Sequence, residues 1–296
     1  MSAPALSVAI ASVNGFPYLG ECLDSLELHA PDAEVIVADW TDEETRARVR
    51  EGWPGIRLIS FESPTTVPEL RAAGIAAAAA PVVAVLEDHC VVVRDDWAER
   101  LLASHRAGAD VVGGPVRNGA TERVRDWAAF LCEYSEFTEP VQSGRTDALV
   151  GMNVSYSREA IDAMDALLSE GRWETWLHPH LLREGFTLHS EPAAPVDHVK
   201  DFGIREFASQ RYHYARSHAG MRNPELGPRR VIYFFGSPLI VPLMYSRIAR
   251  SVLSKGRHRR EFLLATPLIL AYTCIWAVGE AVGYALGGGR SLLKVK

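Results

Sequence analysis

The sequence predicts an α/β fold in which a mainly parallel sheet is flanked by helices. Over the first 116 residues, apolar runs of strand length alternate with amphipathic runs of helix length, the order typical of this class. The clearest apolar run, at residues 82–86, is continuous, as in a strand buried on both faces. The first run is followed by neither G-x-G-x-x-G nor a P-loop pattern, which argues against dinucleotide-binding and P-loop folds.

The elements follow in order along the chain. We expect strands at residues 6–12, 34–38, 56–60, 82–86, 110–116 and 186–189. We expect helices after Pro17 and at residues 42–49, 67–80 and 95–107, because their apolar residues recur at helical spacing. Leu19, Cys22, Leu23 and Leu26 would share one buried face of the first helix. Gly113 and Gly114 interrupt the fifth strand.

Three polar residues end the fourth strand. Glu87, Asp88 and His89 directly follow the apolar run, and unpaired charges are costly inside a strand. They should therefore lie past its carboxyl end, where open α/β sheets bind ligands. Carboxylates and imidazole together can hold a divalent cation. The alternative is a helix cap, with Asp88 or Asp95 starting the next helix.

Composition narrows the class of protein. The formal net charge of -6 over 296 residues argues against nucleic-acid binding. The four cysteines form no C-x-x-C pair, so we expect buried thiols in a reducing compartment rather than a zinc ribbon or a redox motif. The first residues lack a basic region and a long apolar run, so we expect no signal peptide.

Several short motifs, each weak by itself, occur in a defined order along the chain. They are the strand at residues 7–14, Asp39 after the second strand, Arg71-Ala72-Ala73-Gly74, Leu86-Glu87-Asp88-His89, the segment 151–158, and Glu174 eleven residues before Gly185. In this order the first two hundred residues resemble a family 2 glycosyltransferase. The resemblance implies a GT-A-like (Rossmann-like) sheet. The chain departs from the family pattern at Trp40, Ala72, His89 and Trp173.

The resemblance also implies roles for individual residues. Glu174 would be the general base that deprotonates the acceptor. The nucleotide sugar would contact Ala11, Asn14, Asp39, Arg71, Glu87 and Asp88. A divalent cation, Mn²⁺ or Mg²⁺, would be held by Glu87, Asp88, His89 and His198, and imidazole suits manganese better than magnesium. The acceptor would contact Gly151, Met152, Asn153, Trp173 and Trp176.

Other interpretations of these residues stay open. His198 fits a surface residue equally well, and Glu174 fits the solvated first turn of a helix. His178 and His180 flank Pro179, where they would contact the acceptor or, more simply, lie in an exposed loop. The aromatic segment 123–137 would wall the acceptor site or form an amphipathic helix on the sheet. Residues 210–216 would lie at a membrane surface, contact a diphosphate or form a solvated helix.

The C-terminal part is apolar enough for a membrane. Residues 262–286 carry a single charge, Glu280, and are long enough to span a bilayer. Residues 231–245 are shorter and contain Pro238 and Pro242. Two spans would put the basic linker between them outside, against the positive-inside rule. We therefore expect a helical hairpin lying at the cytoplasmic leaflet. The alternative is a soluble helical subdomain or a contact between two copies in a homo-oligomer.

Together these patterns predict a catalytic domain at residues 1–203, an amphipathic linker helix at 204–230 and membrane-associated helices at 231–296. The predicted function is inverting transfer from a nucleotide diphosphate sugar to a lipid-linked or glycan acceptor at the cytoplasmic face of the cell membrane. One alternative is a non-catalytic, membrane-bound relative that acts as a scaffold. Another is a sugar nucleotidyltransferase, although its usual Gly-rich opening loop is missing from residues 6–19.

Overall fold

A computed structural model describes residues 4–295 and divides the chain into two compact units. The first, the sheet unit, contains the described residues up to Gly119 together with Phe137–Lys200. The second, the helical unit, contains Ala120–Glu136 and the described residues from Asp201 onward. Residues 204–230 and the apolar helices that follow them lie in the same compact unit.

The strands all belong to the sheet unit. They are β1 (Leu6–Ser12), β2 (Glu34–Asp39), β3 (Arg57–Ser60), β4 (Val82–Glu87), β5 (Cys90–Val92), β6 (Val111–Gly113), β7 (Val116–Asn118), β8 (Gly144–Thr146), β9 (Asn153–Ser157), β10 (Leu188–Ser190) and β11 (Val196–His198). The helices are α1 (Tyr18–His29), α2 (Glu43–Gly52), α3 (Val67–Ala77), α4 (Trp97–Arg106), α5 (Val124–Tyr134), α6 (Arg158–Ser169), α7 (Glu174–Arg183), α8 (Ile204–Leu226), α9 (Arg230–Gly236), α10 (Ile240–Lys255) and α11 (Arg259–Leu286). Of these, α5 and α8 to α11 form the helical unit.

The main sheet has the strand order β3-β2-β1-β4-β9-β6-β10-β8, and a small sheet has the order β5-β11-β7. Strands β1 to β4 pair in parallel, as does β6 with β10, whereas β9 runs antiparallel between β4 and β6. The α/β class is confirmed, and the antiparallel β9 makes the sheet mixed. Ser12 pairs with Asp39 and Ala11 with Glu87, so the polar ends of three strands meet at one edge.

Two expectations for the sheet unit need correction. The predicted strand at residues 110–116 is two strands in different sheets, because the chain turns at Gly114. A Cβ there would lie 1.8 Å from the Ala194 carbonyl oxygen. Neither predicted aspartate caps the helix after the fourth strand. Asp88 is followed by β5, and α4 begins at Trp97 with Asp96 at its N-cap.

The helices form where the sequence supplies caps and apolar faces. In α3, Thr66 and Glu69 make a reciprocal capping box, with a proline in the first turn, which satisfies backbone N–H groups that the helix leaves unpaired. The apolar face predicted for α1 is buried: Leu19, Cys22, Leu23 and Leu26 are each at most 1% exposed. These contacts fix the helices against the sheet that carries the polar strand ends.

The helical unit is built around α11. A Cβ on Gly279 or Gly283 would lie 2.5 Å from the carbonyl oxygens of Tyr212 or Arg216 in α8, so these glycines permit close backbone packing. Helix α10 also packs against α11. The predicted amphipathic helix at residues 123–137 is present as α5, but it belongs to the helical unit, where it packs against α11.

Candidate active site

The polar residues after β1, β2 and β4 gather at the carboxyl edge of the main sheet. The strand register brings Ala11 opposite Glu87 and Ser12 opposite Asp39. The small sheet adds β11, in which His198 pairs with Cys90 of β5. This is the edge at which α/β sheets bind ligands. Ala11 is itself 1% exposed, and its carbonyl oxygen accepts a hydrogen bond from the Asp88 amide.

Asp88 holds the loop after β1 in place. One carboxylate oxygen accepts hydrogen bonds from the amides of Val13, Asn14 and Gly15 at 2.8, 2.7 and 3.3 Å, and the other accepts from Asn14 Nδ2 at 2.8 Å. Burial opposes its charge, but bonds to His89 and Asn14 outweigh burial and lower the Asp88 pKa. Asp88 has no exposed surface, and both of its carboxylate oxygens are engaged in hydrogen bonds that anchor the loop after β1.

His89 lies between two carboxylates. Its Nδ1 is 3.0 Å from Asp88 Oδ1, and its Nε2 is 3.2 Å from Glu87 Oε2. Burial lowers the His89 pKa, but the two carboxylates outweigh burial and raise it overall. The ring of His198 meets the His89 ring edge-on, with centroids 4.6 Å apart. Burial, and then the charge of His89, hold the His198 pKa well below its usual value.

The donor types at this strand tip suit a divalent cation, although the side chains are now bonded to one another. Among residues 4–295, no group of three or more His, Cys, Asp or Glu side chains is arranged to hold a metal ion. Glu87 and His89 face each other across a hydrogen bond, and a cation could take the place of that proton. One carboxylate with two imidazoles, from His89 and His198, is chemically suited to Mn²⁺.

Arg71 joins the strand tip to Glu174. Its Nη1 donates to Glu174 Oε2 at 3.0 Å, and its Nη2 donates to Glu87 Oε1. The guanidinium carbon lies 5.1 Å from the centroid of the Trp173 ring. Burial opposes its charge, but Glu87 and Glu174 outweigh burial and raise the Arg71 pKa. Burial likewise opposes the charge of Glu87, but Arg71 and His89 lower its pKa overall. Arg71 therefore bridges the two acidic groups.

Gly151 makes room for this bridge. A Cβ at position 151 would lie 2.5 Å from Glu174 Oε2 and 2.7 Å from Arg71 Nη1, so only glycine fits without displacing the ion pair. The next two residues lie elsewhere than predicted. Met152 is 1% exposed and Asn153 is fully buried, and Asn153 bonds to Trp97 and to the carbonyl oxygens of Pro115 and Ala194.

Asp39 is likewise engaged within the protein. It is 1% exposed; it accepts hydrogen bonds from Thr41 Oγ1 at 2.8 Å and from Arg46 Nε at 2.9 Å. The resemblance implied that Asp39 contacts a nucleotide base. The structure instead gives it a buried ion pair with Arg46, a residue that the sequence analysis did not single out. Arg46 lies in the polar helix α2, and no motif marked it.

Helix α7 positions Glu174 and the residues that follow it. Glu174 is the first residue of α7, directly after Trp173 at the N-cap. One turn later His178, which is 3% exposed, bonds through Nε2 to Tyr156 Oη at 2.9 Å. His178 was expected in an exposed loop; Pro179 instead lies within the helix. Burial, followed by the charge of Arg71, lowers the His178 pKa to about 4.

A small cleft adjoins the ion pair. Its volume is about 20 Å³, room for about one water molecule, and its polar lining includes Arg71, Tyr156, Arg172 and Glu174. Half-buried Trp176 lies beside it, with the Arg172 guanidinium 5.7 Å from its ring centroid. The cleft therefore opens beside Glu174, on the side where an acceptor was expected.

Lys200 is a further site residue that the sequence analysis missed. Its Nζ donates to Asn14 Oδ1 at 2.7 Å, and the side chain is 4% exposed. Asn14 in turn bonds to Asp88 and approaches His89 Nδ1 at 3.3 Å. A buried ammonium group thus lies beside the strand tip. Its only sequence signal is its place two residues after His198.

Comparisons with known proteins indicate the same family that the motifs suggested. The family model described as "Glycosyl transferase family 2" matches residues 7–164. A comparison with curated proteins finds no match. A structure of GalNAc-T7 with UDP, GalNAc and Mn²⁺ is similar with a TM-score of 0.53 and 16% identity, over 67% of this chain and 43% of that one.

A second structure is similar over a larger share of both chains. It is the mannosyltransferase PcManGT from Pyrobaculum calidifontis in complex with GDP-Man and Mn²⁺, with a TM-score of 0.56 and 15% identity, over 95% of this chain and 88% of that one. The chain spans less than half of the GalNAc-T7 structure but most of the mannosyltransferase. These neighbours show a GT-A-like fold, and the family match covers more than half of the sequence. The chain belongs to glycosyl transferase family 2.

Proposed function

We propose that the protein transfers a sugar from a nucleotide diphosphate sugar to an acceptor hydroxyl, with inversion at the anomeric carbon. The observation that carries the proposal is the line of groups Glu174, Arg71, Glu87 and His89 at the carboxyl edge of the sheet. This arrangement supports a general base on one side of the transferred sugar and, on the other side, groups that stabilise the charge of the leaving diphosphate. The solved neighbours contain UDP or GDP-Man.

Glu174 is the proposed general base. Glu174 lines the cleft and its side chain is 19% exposed, so an acceptor hydroxyl can approach its carboxylate. Removing the hydroxyl proton as the oxygen attacks the anomeric carbon gives a single displacement. The bond to the leaving diphosphate breaks on the opposite face, which inverts the configuration.

The strand tip is the proposed site of the leaving diphosphate. Glu87, His89 and His198 are the residues that would hold a divalent cation, Mn²⁺ or Mg²⁺, and Asp88 is not among them. A bound cation would supply Lewis-acid stabilisation of the charge on the leaving group. Lys200 adds a protein cation beside the same strand tip, which supports binding of an anionic diphosphate.

The proposed acceptor is a lipid-linked sugar or a growing glycan, and the proposed place of action is the cytoplasmic face of the cell membrane. The support comes from the helical unit. Two long apolar stretches, within residues 204–255 and at Arg259–Leu286, have mean hydropathy values of 1.4 and 1.9 over their most apolar windows. Such helices are weak support, because core helices of soluble proteins have similar composition.

A thermal-shift panel tests the donor proposal. A nucleotide diphosphate at 100 times its dissociation constant should stabilise the protein by about 2.7 kcal/mol, and the shift should be larger with Mn²⁺. His89→Ala should abolish the manganese-dependent part. The matched control His29→Ala, which pairs with the exposed Asp95, should retain it. No shift with any nucleotide diphosphate would contradict the proposal, and formation of a nucleotide sugar from a sugar phosphate would favour a nucleotidyltransferase.

A further inference from the structure

Helices α9 and α10 of the helical unit present a stripe of apolar side chains to solvent. Ile232, Phe235, Leu239 and Leu243 of the run through α9 and α10 are 72, 74, 72 and 54% exposed. Their spacing of three and four residues places them on one side of a helix, and Val231, Tyr233 and Phe234 beside them are exposed as well. Scattered exposed apolar residues are ordinary, but a contiguous apolar surface marks an interaction site.

Helix α11 also carries exposed apolar side chains. Leu263, Leu264, Leu270 and Val278 are exposed, and no charged residue occurs between Glu261 and Glu280. The two helices are neighbours, since the Tyr245 and Phe262 rings stack with centroids 5.8 Å apart. We call these eight residues, Ile232, Phe235, Leu239, Leu243, Leu263, Leu264, Leu270 and Val278, the apolar face.

Basic side chains border the apolar face at the start of α9 and near the end of α10. Arg229 and Arg230 precede the stripe, while Arg250 and Arg260 follow it, and all four are exposed. Arginines beside an apolar helix face complement the negative charge of anionic phospholipids. A second copy of this chain would instead bring like charges together at both rims.

The packing of α11 argues that the apolar face lies on a membrane rather than crossing it. The opposite side of α11 packs against α8, which contains Arg211, Arg216 and Arg222. If α11 spanned the bilayer, α8 would carry these charges to membrane depth, where charges are costly. The stripe from Ile232 to Leu243 also rises only about 16 Å, about half of the hydrocarbon thickness.

We propose that the apolar face inserts in the plane of an anionic phospholipid leaflet, with its bordering arginines at the headgroups. This inference rests on the proposed membrane association. It adds that the apolar face is the side of the helical unit that contacts the membrane, and that anionic lipids are preferred. Sugar transfer is not required for this binding, so the two proposals can fail separately.

Vesicle flotation of the full chain tests the surface and its charge preference. Binding should be strong to an equal mixture of phosphatidylcholine and phosphatidylglycerol and weak to phosphatidylcholine alone. Arg230→Gln and Arg250→Gln should each weaken binding about five-fold, whereas Arg183→Gln, at an exposed position of the sheet unit, should not. Phe235→Asp should weaken binding by about ten-fold or more. Leu28→Asp, which replaces a leucine 70% exposed in α1, is the matched control.

The native cysteines allow a depth measurement. Cys274 of α11 is exposed, whereas Cys22, Cys90 and Cys132 are buried, so a thiol-reactive fluorophore should label Cys274 selectively. Lipids with a spin label near the carbonyl should quench it more than lipids labelled at the chain end. Stronger quenching by the chain-end label would indicate a spanning helix and overturn the proposal. Equal binding to neutral vesicles, or no vesicle binding together with a dimeric mass, would also overturn it. Nucleotide-dependent stabilisation, measured without vesicles on the same sample, reports separately on the donor site.

Discussion

Replacing Arg71 by alanine should disturb both halves of the proposed active site at once. Arg71, Glu87 and Glu174 are 11, 16 and 19% exposed, and Arg71 pairs with both carboxylates. At an effective dielectric constant of about 20, opposite charges about 4 Å apart attract by about 4 kcal/mol. Removing one partner of a buried pair usually costs about 3–5 kcal/mol. We expect Arg71→Ala to lower the free energy of unfolding by that amount.

The same variant should slow sugar transfer more than it weakens acceptor binding. Without the guanidinium, Glu174 loses the contact that orients it, so kcat should fall while the acceptor KM changes little. Arg71→Lys keeps one charge but cannot offer two parallel N–H groups to two carboxylates, so its effect should be intermediate. Denaturant unfolding and initial-rate kinetics measure both quantities.

A control variant separates this bridge from an ordinary surface pair. Arg94 pairs with Asp96 at 2.8 Å, but the two side chains are 46 and 35% exposed, and such pairs contribute about 0–1 kcal/mol. Arg94→Ala should therefore leave stability and transfer almost unchanged. If Arg71→Ala behaved like Arg94→Ala in both measurements, the bridging role of Arg71 would be refuted.

Three further predictions follow from neighbouring contacts. Gly151→Ala should reduce kcat sharply with little loss of secondary structure, because its methyl group would displace Glu174 from Arg71; transfer kinetics and circular dichroism check this. Asp88→Ala should destabilise the protein by about 3 kcal/mol or more, because buried amides lose a charged acceptor, whereas removing a residue that served only as a cation ligand would stabilise the apoprotein. His178 has its pKa lowered from 6.5 to about 4, so the unfolded chain binds the proton more readily. Between pH 6.5 and 4 the wild type should lose up to about 3 kcal/mol that His178→Asn does not lose, as measured by unfolding at each pH.

Much of the fold could be predicted from the sequence because the strands and helices have strong local signals. The boundaries of β1 match the prediction, and β2, β3 and β4 lie within one residue of it at each end. The motifs singled out Glu174 and the strand tip as candidates, and in the structure Arg71 bonds to both Glu174 and Glu87. Local patterns are informative here since buried parallel strands read as continuous apolar runs.

The roles of individual polar residues were harder to predict, because they depend on partners distant in sequence. Asp88 bonds to amides 73 to 75 residues away, and Asn153 bonds to carbonyl oxygens 38 and 41 residues away. A motif gives the identity of such a residue but not how many of its hydrogen bonds the fold already uses. Lys200 shows the reverse case, since no motif contains it and only the fold brings it 2.7 Å from Asn14.

The most direct test of the account is the rate of sugar transfer by Glu174→Gln, measured together with donor binding. The glutamine keeps an oxygen that can accept from Arg71 but cannot take the acceptor proton. The account predicts that kcat falls by about 10²–10⁴-fold while the dissociation constant of the donor is unchanged. The control Glu184→Gln, at the exposed C-terminal end of the same helix, should transfer normally. Transfer by Glu174→Gln at the wild-type rate would contradict the proposed mechanism.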